Sequence, residues 1–122
     1  MAKKILVVND EQDFVDMVSM FLESEGYQVR AAERGDAALP VIQDWQPDLV
    51  LLDLRMSGLG GWETLERIEA DPQLSGTRIL ITSGAVEEAA AQRQRLRSRG
   101  NDYIGLPFDL DDFLRKVRDL VG

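Results

Sequence analysis

Oxygen-bearing side chains stand at the ends of three short apolar runs in this sequence. Asp10 lies two residues past the first run, Asp53 directly ends the second, and Ser83 follows the third. If the runs form parallel strands, their carboxyl ends meet at one edge of the sheet, where ligands bind in such folds. Mg²⁺ prefers hard oxygens and is typically held by one or two carboxylates together with waters and phosphate oxygens. The sequence therefore predicts a magnesium site formed by Asp10 and Asp53.

Each of these residues also has a purely structural interpretation. Asp10 is a suitable residue to start a turn or to cap the next helix. Ser83 is a suitable turn hydroxyl before Gly84. Asp53 is harder to explain in this way, because an acid that directly ends a four-residue apolar strand has little structural purpose. The functional interpretation therefore depends most on Asp53.

Apolar runs and helical patterns alternate along the chain, which favours βα units and a parallel sheet. The predicted strands cover residues 5–8, 27–32, 49–52, 79–82 and 102–104.

Five helices are predicted between and after these strands. The first carries an apolar stripe at helical spacing, made by Phe14, Met17, Val18, Phe21 and Leu22. The second should begin near Asp36, with a kink or a late start because Pro40 removes a backbone donor. The third ends before Pro72, the fourth covers 86–99 and is closed by Gly100, and Asp109 caps the last.

Composition narrows the possible functions. The chain has 122 residues, no cysteine, no histidine and a formal net charge of −8. This length fits a single α/β domain over residues 1–122. The missing side chains exclude disulfides, thiolate or histidine metal sites and histidine-based catalysis, and the negative charge argues against direct nucleic-acid binding.

No apolar run approaches the roughly 20 residues that span a bilayer. The apolar run before Asn9 is also too short for the core of a signal peptide. We therefore expect a cytoplasmic protein that does not contact a membrane.

Four motifs resemble the response-regulator receiver domain of two-component systems. They are VVND at 7–10, LLDLRM at 51–56, ITSG at 81–84 and YIGLPF at 103–108. They occur in the order and at the spacings of that family, and the resemblance covers essentially the whole chain. It implies a flavodoxin-like, doubly wound sheet of five parallel strands in the order 2-1-3-4-5.

The resemblance also implies roles for individual residues. Asp53 would be the phosphoacceptor, attacking a phosphohistidine on a sensor histidine kinase or phosphotransfer protein. Mg²⁺ would be bound by Asp10, by Asp53 and by the main-chain carbonyl of Arg55. Ser83 and Tyr103 would switch with phosphorylation and alter a face made by the fourth helix, fifth strand and fifth helix, which a downstream protein or output domain would contact. Such a domain is not itself an enzyme.

Three features depart from the family pattern. Asn9 replaces an acid, so it would contact the metal only through water and Mg²⁺ affinity should fall. Leu106 replaces the usual lysine before Pro107, which would cost roughly 2–5 kcal/mol of interaction with the phosphoryl group. The segment 56–61 contains three glycines and no proline, which favours a more mobile loop.

Other functions therefore remain open at this stage. Leu106 and Asn9 favour a receiver-like interaction module that no longer uses phosphorylation. A flavodoxin-like cofactor binder or an aspartyl hydrolase is less compatible with the acidic segment 9–11. A basic patch in the fourth helix suits either a solvated surface or docking of an acidic partner, and Tyr103 alone would suit strand packing. The basic patch consists of Arg93, Arg95, Arg97 and Arg99.

Overall fold

The computed structural model describes residues 2–54, 60–84 and 86–121, except for the side chains of residues 86 and 88. The strands are β1 (Lys4–Val8), β2 (Gln28–Ala32), β3 (Leu49–Asp53), β4 (Arg78–Ser83) and β5 (Asp102–Gly105). The helices are α1 (Gln12–Ser24), α2 (Gly35–Trp45), α3 (Gly61–Ala70), α4 (Val86–Ala91), α5 (Arg93–Ser98) and α6 (Leu110–Val121), with a short 3-10 helix at Pro72–Leu74.

The strands form one parallel sheet in the order β2-β1-β3-β4-β5, which confirms the predicted topology. Strand order reverses beside β1, so the crevice outside the carboxyl ends of β1 and β3 is where ligands bind in such sheets. Among the described residues, none of the helices combines the length and apolar composition that crossing a bilayer requires.

Both faces of the sheet are covered by helices. Alternate residues of a strand point to opposite faces, and β1 shows the result. Leu6 and Val8 pack with α2 to α5, whereas Ile5 and Val7 pack with α1 and α6. Burial on both faces explains why the central strands are continuous apolar runs.

The predicted fourth helix is two helices, so six are described where five were predicted. Gln92 separates α4 from α5, and its N–H bonds to the carbonyl of Ala89, three residues back. The second of these helices, α5, makes tertiary contacts of its own, because Leu96 is fully buried and Glu69 of α3 pairs with two arginines in and just after α5. We attribute the break to these contacts, which fix the direction of α5 independently of α4.

The late start that Pro40 predicted for the second helix does not occur. The helix α2 starts at Gly35, next to Asp36 as predicted, and Arg34 is its N-cap. Pro40 lies inside α2 on its exposed side. The carbonyl of Asp36, which loses its partner there, belongs to an exposed residue and can reach water, so the helix continues.

Other predicted ends are close to those observed. Gly26 and Gly100 have φ angles of 91° and 78°, the left-handed geometry expected after a helix. Asp109 accepts hydrogen bonds from the N–H groups of Asp111 and Asp112, so it caps α6 as predicted. The second strand begins one residue later than predicted, because the N–H of Tyr27 bonds to Leu22 at the end of α1.

The apolar stripe of α1 is only partly covered. Val18 and Leu22 are buried as predicted, together with Val15. Phe14 and Phe21 are half-buried, and Met17 is 39% exposed. The stripe is therefore wider than the sheet can cover, and its outer part lies at the surface.

Candidate functional site

Backbone register brings the predicted acidic residues to one sheet edge. Val8 of β1 is paired with Leu52 of β3, so Asn9 and Asp53 are the next residues on two neighbouring strands. Asp10 follows Asn9 and is exposed, whereas Asp53 is half-buried. Asp53 is also paired with Thr82 of β4, so it lies between the two flanking strands at this edge.

Asn9 also stabilises the turn that connects β1 to α1. It is 5% exposed, and its N–H bonds to the carbonyl of Ala32. Its Oδ1 accepts a hydrogen bond from the N–H of Glu11 at 2.8 Å, which holds the turn that leads into α1. An amide oxygen has two lone pairs, so one further hydrogen bond, such as that from a metal-bound water, is still possible.

Gly61 fixes the backbone at Asp53. A Cβ atom at position 61 would lie 2.3 Å from the carbonyl oxygen of Asp53 and 2.6 Å from the Cα of Leu54. The N–H of Gly61 also bonds to the carbonyl of Leu54 at 3.3 Å. The start of α3 therefore packs directly on the backbone that carries the acid, and only glycine fits this approach. Nothing in the sequence motif identified this contact in advance.

Residues of β4 and β5 form the other half of the same edge. Ser83 is the last residue of β4, is 1% exposed and is paired with Gly105. Its carbonyl accepts a hydrogen bond from the N–H of Leu106 at 2.9 Å. The peptide bond between Leu106 and Pro107 is cis. Leu106, predicted to replace the family's lysine, lies at this edge of the sheet beside Ser83.

The lysines of the chain lie at the opposite edge of the sheet. Lys4 begins β1, and its Nζ donates to the carbonyl of Trp45 at 2.9 Å. Lys116 of α6 bonds to Asp102, the first residue of β5, at 3.0 Å. A strand rises about 3.3 Å per residue, so the start of β1 is roughly 17 Å from Asn9. Lys3 precedes β1, so it too lies away from the edge that carries Asp53.

Tyr103 lies on the part of β5 next to a charged cluster. Its half-buried side chain packs against the hydrophobic core on the face of the sheet that α2 to α5 cover. Its N–H donates to Asp102. Burial raises the pKa of Asp102, but hydrogen bonds from Tyr103 and Lys116 and the nearby charge of Arg97 outweigh it, so the net pKa is lowered. Asp102 thus ties α5, β5 and α6 together at the amino-terminal edge.

The basic patch is largely engaged within the domain. Arg95 and Arg99 pair with Glu69 at 2.7 and 3.1 Å, and Arg97 lies 3.5 Å from Asp102. Glu69 is only 11% exposed. These contacts favour a structural role for three of the four arginines, and leave Arg93 exposed on α5 without an ion pair to any described residue.

The donor set suits Mg²⁺ rather than a softer metal. It consists of carboxylates from Asp10 and Asp53 and an amide from Asn9 at one edge. No group of three or more acidic, cysteine or histidine side chains in the described part of the chain could hold an ion by itself, so waters or phosphoryl oxygens must complete the coordination. Arg55, the predicted main-chain ligand, lies outside the described residues, as does most of the glycine-containing loop.

Comparison with known proteins gives one consistent family. A model described as the response regulator receiver domain matches residues 5–118. The chain is 30% identical over 118 residues to the DNA-binding dual master transcriptional regulator RpaA of Synechocystis sp., covering 97% of this chain and 48% of RpaA. It is 31% identical over 121 residues to the phosphate regulon transcriptional regulatory protein PhoB of Rhizobium meliloti, covering 99% and 53%. The chain thus spans about half the length of these curated relatives.

Solved structures agree on the fold. The chemotaxis response regulator CheY4 of Vibrio cholerae matches with a TM-score of 0.85 and 26% identity, covering 98% of this chain and 99% of that one. The response regulator TrrA of Thermotoga maritima, solved in complex with Mg²⁺-BeF, matches with a TM-score of 0.80 and 30% identity, covering 97% and 98%.

Proposed function

The chain belongs to the response regulator receiver domain family, and we propose on this basis that Asp53 accepts a phosphoryl group from a phosphohistidine. The donor would be a sensor histidine kinase or a phosphotransfer protein. An oxygen of the Asp53 carboxylate attacks phosphorus, the phosphorus–nitrogen bond to the donor imidazole breaks, and the imidazole keeps the electron pair. The product is an acyl phosphate on this chain, with no turnover of its own.

The main support is the position of Asp53 at the carboxyl end of the central strand. It lies between β1 and β4, half-buried, with Asn9 beside it and Asp10 one residue further. A half-buried carboxylate at this edge can reach a donor from solvent, while the contact with Gly61 keeps its backbone fixed. Fixed geometry matters here because phosphoryl transfer depends mainly on positioning and charge neutralisation.

Mg²⁺ would be held by Asp10 and Asp53, with Asn9 contacting a metal-bound water and the carbonyl of Arg55 as a further ligand. When bound, the ion neutralises charge on the phosphoryl oxygens. With only two carboxylates, the site carries one negative charge fewer than the family pattern, so we expect weaker metal binding. We place this chemistry in the cytoplasm.

Ser83 and Tyr103 would respond to the phosphoryl group, and Leu106 would limit that response. A phosphoryl group shifts a conformational equilibrium only by its differential contacts with the two states. The hydroxyl of Ser83 can supply such a contact, whereas the aliphatic side chain of Leu106 cannot. We therefore propose a phosphorylatable receiver whose switch is weaker than usual.

The response would be read by a downstream protein or output domain on the face formed by α4, α5, β5 and α6. RpaA is a DNA-binding regulator by name and is about twice as long as this chain. The net charge of −8 makes direct contact of this domain with nucleic acid unfavourable. Any effect on DNA would therefore pass through another domain or protein.

Incubation with Mg²⁺ and acetyl phosphate, followed by intact mass measurement, tests the proposal. We expect a single phosphoryl adduct in the native protein and none in Asp53→Asn. A matched control is Asp44→Asn, an exposed acid on α2, which should keep the adduct. Absence of an adduct at any donor concentration would instead favour the interaction module that works without phosphorylation, for which the lack of a lysine at this edge is the main support.

A further inference from the structure

Strand alternation places a buried threonine, Thr82, on the same face of the sheet as Asp53. Successive residues of a strand point to opposite faces. In β3, Leu51 packs on the side of α1 and α6, so Asp53, two residues later, points to that side. In β4, Leu80 packs on the same side, and Thr82 follows it at the same spacing. The hydroxyl and the carboxylate therefore share one face at the carboxyl end of the sheet.

Thr82 is also the direct neighbour of Asp53 across the sheet. The two residues are paired between β4 and β3, and neighbouring strands lie about 4.8 Å apart. A hydroxyl at position 82 is therefore within hydrogen-bonding reach of a group carried by Asp53. On the other side of Asp53, Asn9 lies on the same face, because it follows Val7 of β1 by two residues and Val7 packs against α1 and α6. Asp53 thus has a neutral polar residue on each side.

The burial of Thr82 favours a polar role for its hydroxyl. Thr82 is 1% exposed and follows three aliphatic residues, 79–81. A buried hydroxyl costs free energy unless it is hydrogen-bonded. Valine has nearly the same shape and an equally good strand propensity without this cost. Packing alone therefore gives no reason for threonine at this position, whereas a polar partner at the sheet edge does.

The neighbouring residues of β4 and β5 are less suited to hold a group on Asp53. Ser83 follows Thr82 directly, so alternation directs its side chain to the opposite face, and it has to turn over the sheet edge to reach the group. Leu106 follows Ile104, which packs on the side of α1 and α6, by two residues, but an aliphatic side chain cannot donate a hydrogen bond. Of these three side chains, Thr82 alone combines the face of Asp53 with a donor.

We infer that the hydroxyl of Thr82 donates a hydrogen bond to an oxygen of the phosphoryl group on Asp53. This inference rests on the proposed function, because it needs a phosphoryl group at Asp53. Hydrogen bonds to charged oxygens are stronger than those between neutral groups. Since β4 is paired with a strand on each side, Thr82 holds the group from a fixed position and without any movement of β5.

Thr82→Val and Thr82→Ser test this contact. Valine keeps the branched shape and removes the hydroxyl, whereas serine keeps the hydroxyl and removes a methyl group. The measurement is isothermal titration with beryllofluoride, which mimics a phosphoryl group on an aspartate, at saturating Mg²⁺. Binding should be about tenfold weaker in Thr82→Val than in the native domain. In Thr82→Ser it should be weaker by no more than about threefold.

Two further measurements separate this contact from a structural effect. Mg²⁺ alone should bind Thr82→Val as tightly as it binds the native domain, because the hydroxyl contacts the phosphoryl group and not the ion. Urea unfolding of Thr82→Val should show no loss of stability, because valine suits a buried strand position. The matched control is Thr77→Val, at a half-buried position just before β4 and at the opposite edge of the sheet, which should leave both affinities unchanged.

The possible failures are distinguishable. If the native domain does not bind beryllofluoride, the proposed function and this inference are both overturned. If the native domain binds it and Thr82→Val binds it equally well, the inference alone is wrong. Equal weakening in Thr82→Val and Thr82→Ser would also overturn it, because the packing of Thr82 and not its hydroxyl would then control the affinity.

Discussion

The two halves of the carboxyl-terminal sheet edge differ in chemistry. At β1 and β3, Asn9, Asp10 and Asp53 present oxygens, and Gly61 holds the backbone beneath them. At β4 and β5, the carbonyl of Ser83 accepts a hydrogen bond from the N–H of Leu106, and Leu106 lines an apolar groove. Under the proposed function, the first half would accept the phosphoryl group, whereas the second half has Leu106 where a responding cation is expected.

If the proposed function is correct, accepting a phosphoryl group and transmitting its presence depend on separate residues. Acceptance needs a positioned carboxylate and a metal, and transmission needs a contact that exists only in the phosphorylated state. A substitution on one half should therefore change one property and leave the other nearly intact.

The largest effect is expected at Asp10. Removing a charged ligand from a partly exposed metal site should cost about 2 kcal/mol, roughly a 30-fold loss of Mg²⁺ affinity in Asp10→Asn. Asn9→Asp restores an acid and should instead raise the affinity. Isothermal titration with MgCl₂ measures both, and equal affinities in all three proteins would contradict the proposed metal site.

The second-largest effect is expected for Gly61→Ala, which should lower the free energy of unfolding. The added Cβ atom overlaps the carbonyl of Asp53, and such overpacking costs about 1–3 kcal/mol, partly offset by the better helix propensity of alanine. Gly60→Ala is the control, because nothing lies within 4 Å of its Cβ position. Urea unfolding should give a change within about 0.5 kcal/mol for Gly60→Ala. Equal losses in both variants would show that the close approach does not matter.

Leu106→Lys should raise the affinity of the sheet edge at β4 and β5 for a phosphoryl group. An ammonium there can pair with phosphoryl oxygens, and about 1.4 kcal/mol of added interaction would tighten binding of Mg²⁺-beryllofluoride, a phosphoryl mimic, about tenfold. Leu106→Met changes the side chain without adding charge and should leave this affinity nearly unchanged. If the lysine variant binds no more tightly than the methionine variant, the missing cation is not the limiting defect.

The smallest effect concerns acid stability through Asp102. Its pKa is lowered in the folded protein, so it contributes stability above its unfolded pKa, near 3.8, that disappears as the pH falls through the lower folded value. Asp102→Asn should therefore cost under about 1 kcal/mol at pH 7 and less at pH 3. Urea unfolding at both pH values measures this, and the same cost at both would contradict the lowered pKa.

The sequence predicted the features that depend on local patterns. Continuous apolar runs identified the central strands because both faces of the sheet are covered, and Asp53 stood out because it ends such a run. Asp109, Gly26 and Gly100 were identified because helix ends have strong residue preferences.

Features that depend on tertiary contacts were not predictable in this way. The break at Gln92 follows from ion pairs between α3 and the second of the two helices. The close approach of Gly61 to Asp53 joins two separate elements. Met17 has the spacing of a core residue in the sequence, but in the structure it lines a surface groove. The sequence does carry one sign, since Glu69 stands four residues after the buried Leu65 on the same helix, where an acid needs partners.

The most direct test compares ¹⁵N chemical shifts of the native domain before and after saturation with Mg²⁺ and beryllofluoride. We predict large changes for the amides of Asn9, Leu54 and Ser83, and much smaller ones for Asp102 and Tyr103. Equally large changes along β5, or no change near Asp53, would contradict a site that accepts the group without strongly transmitting it.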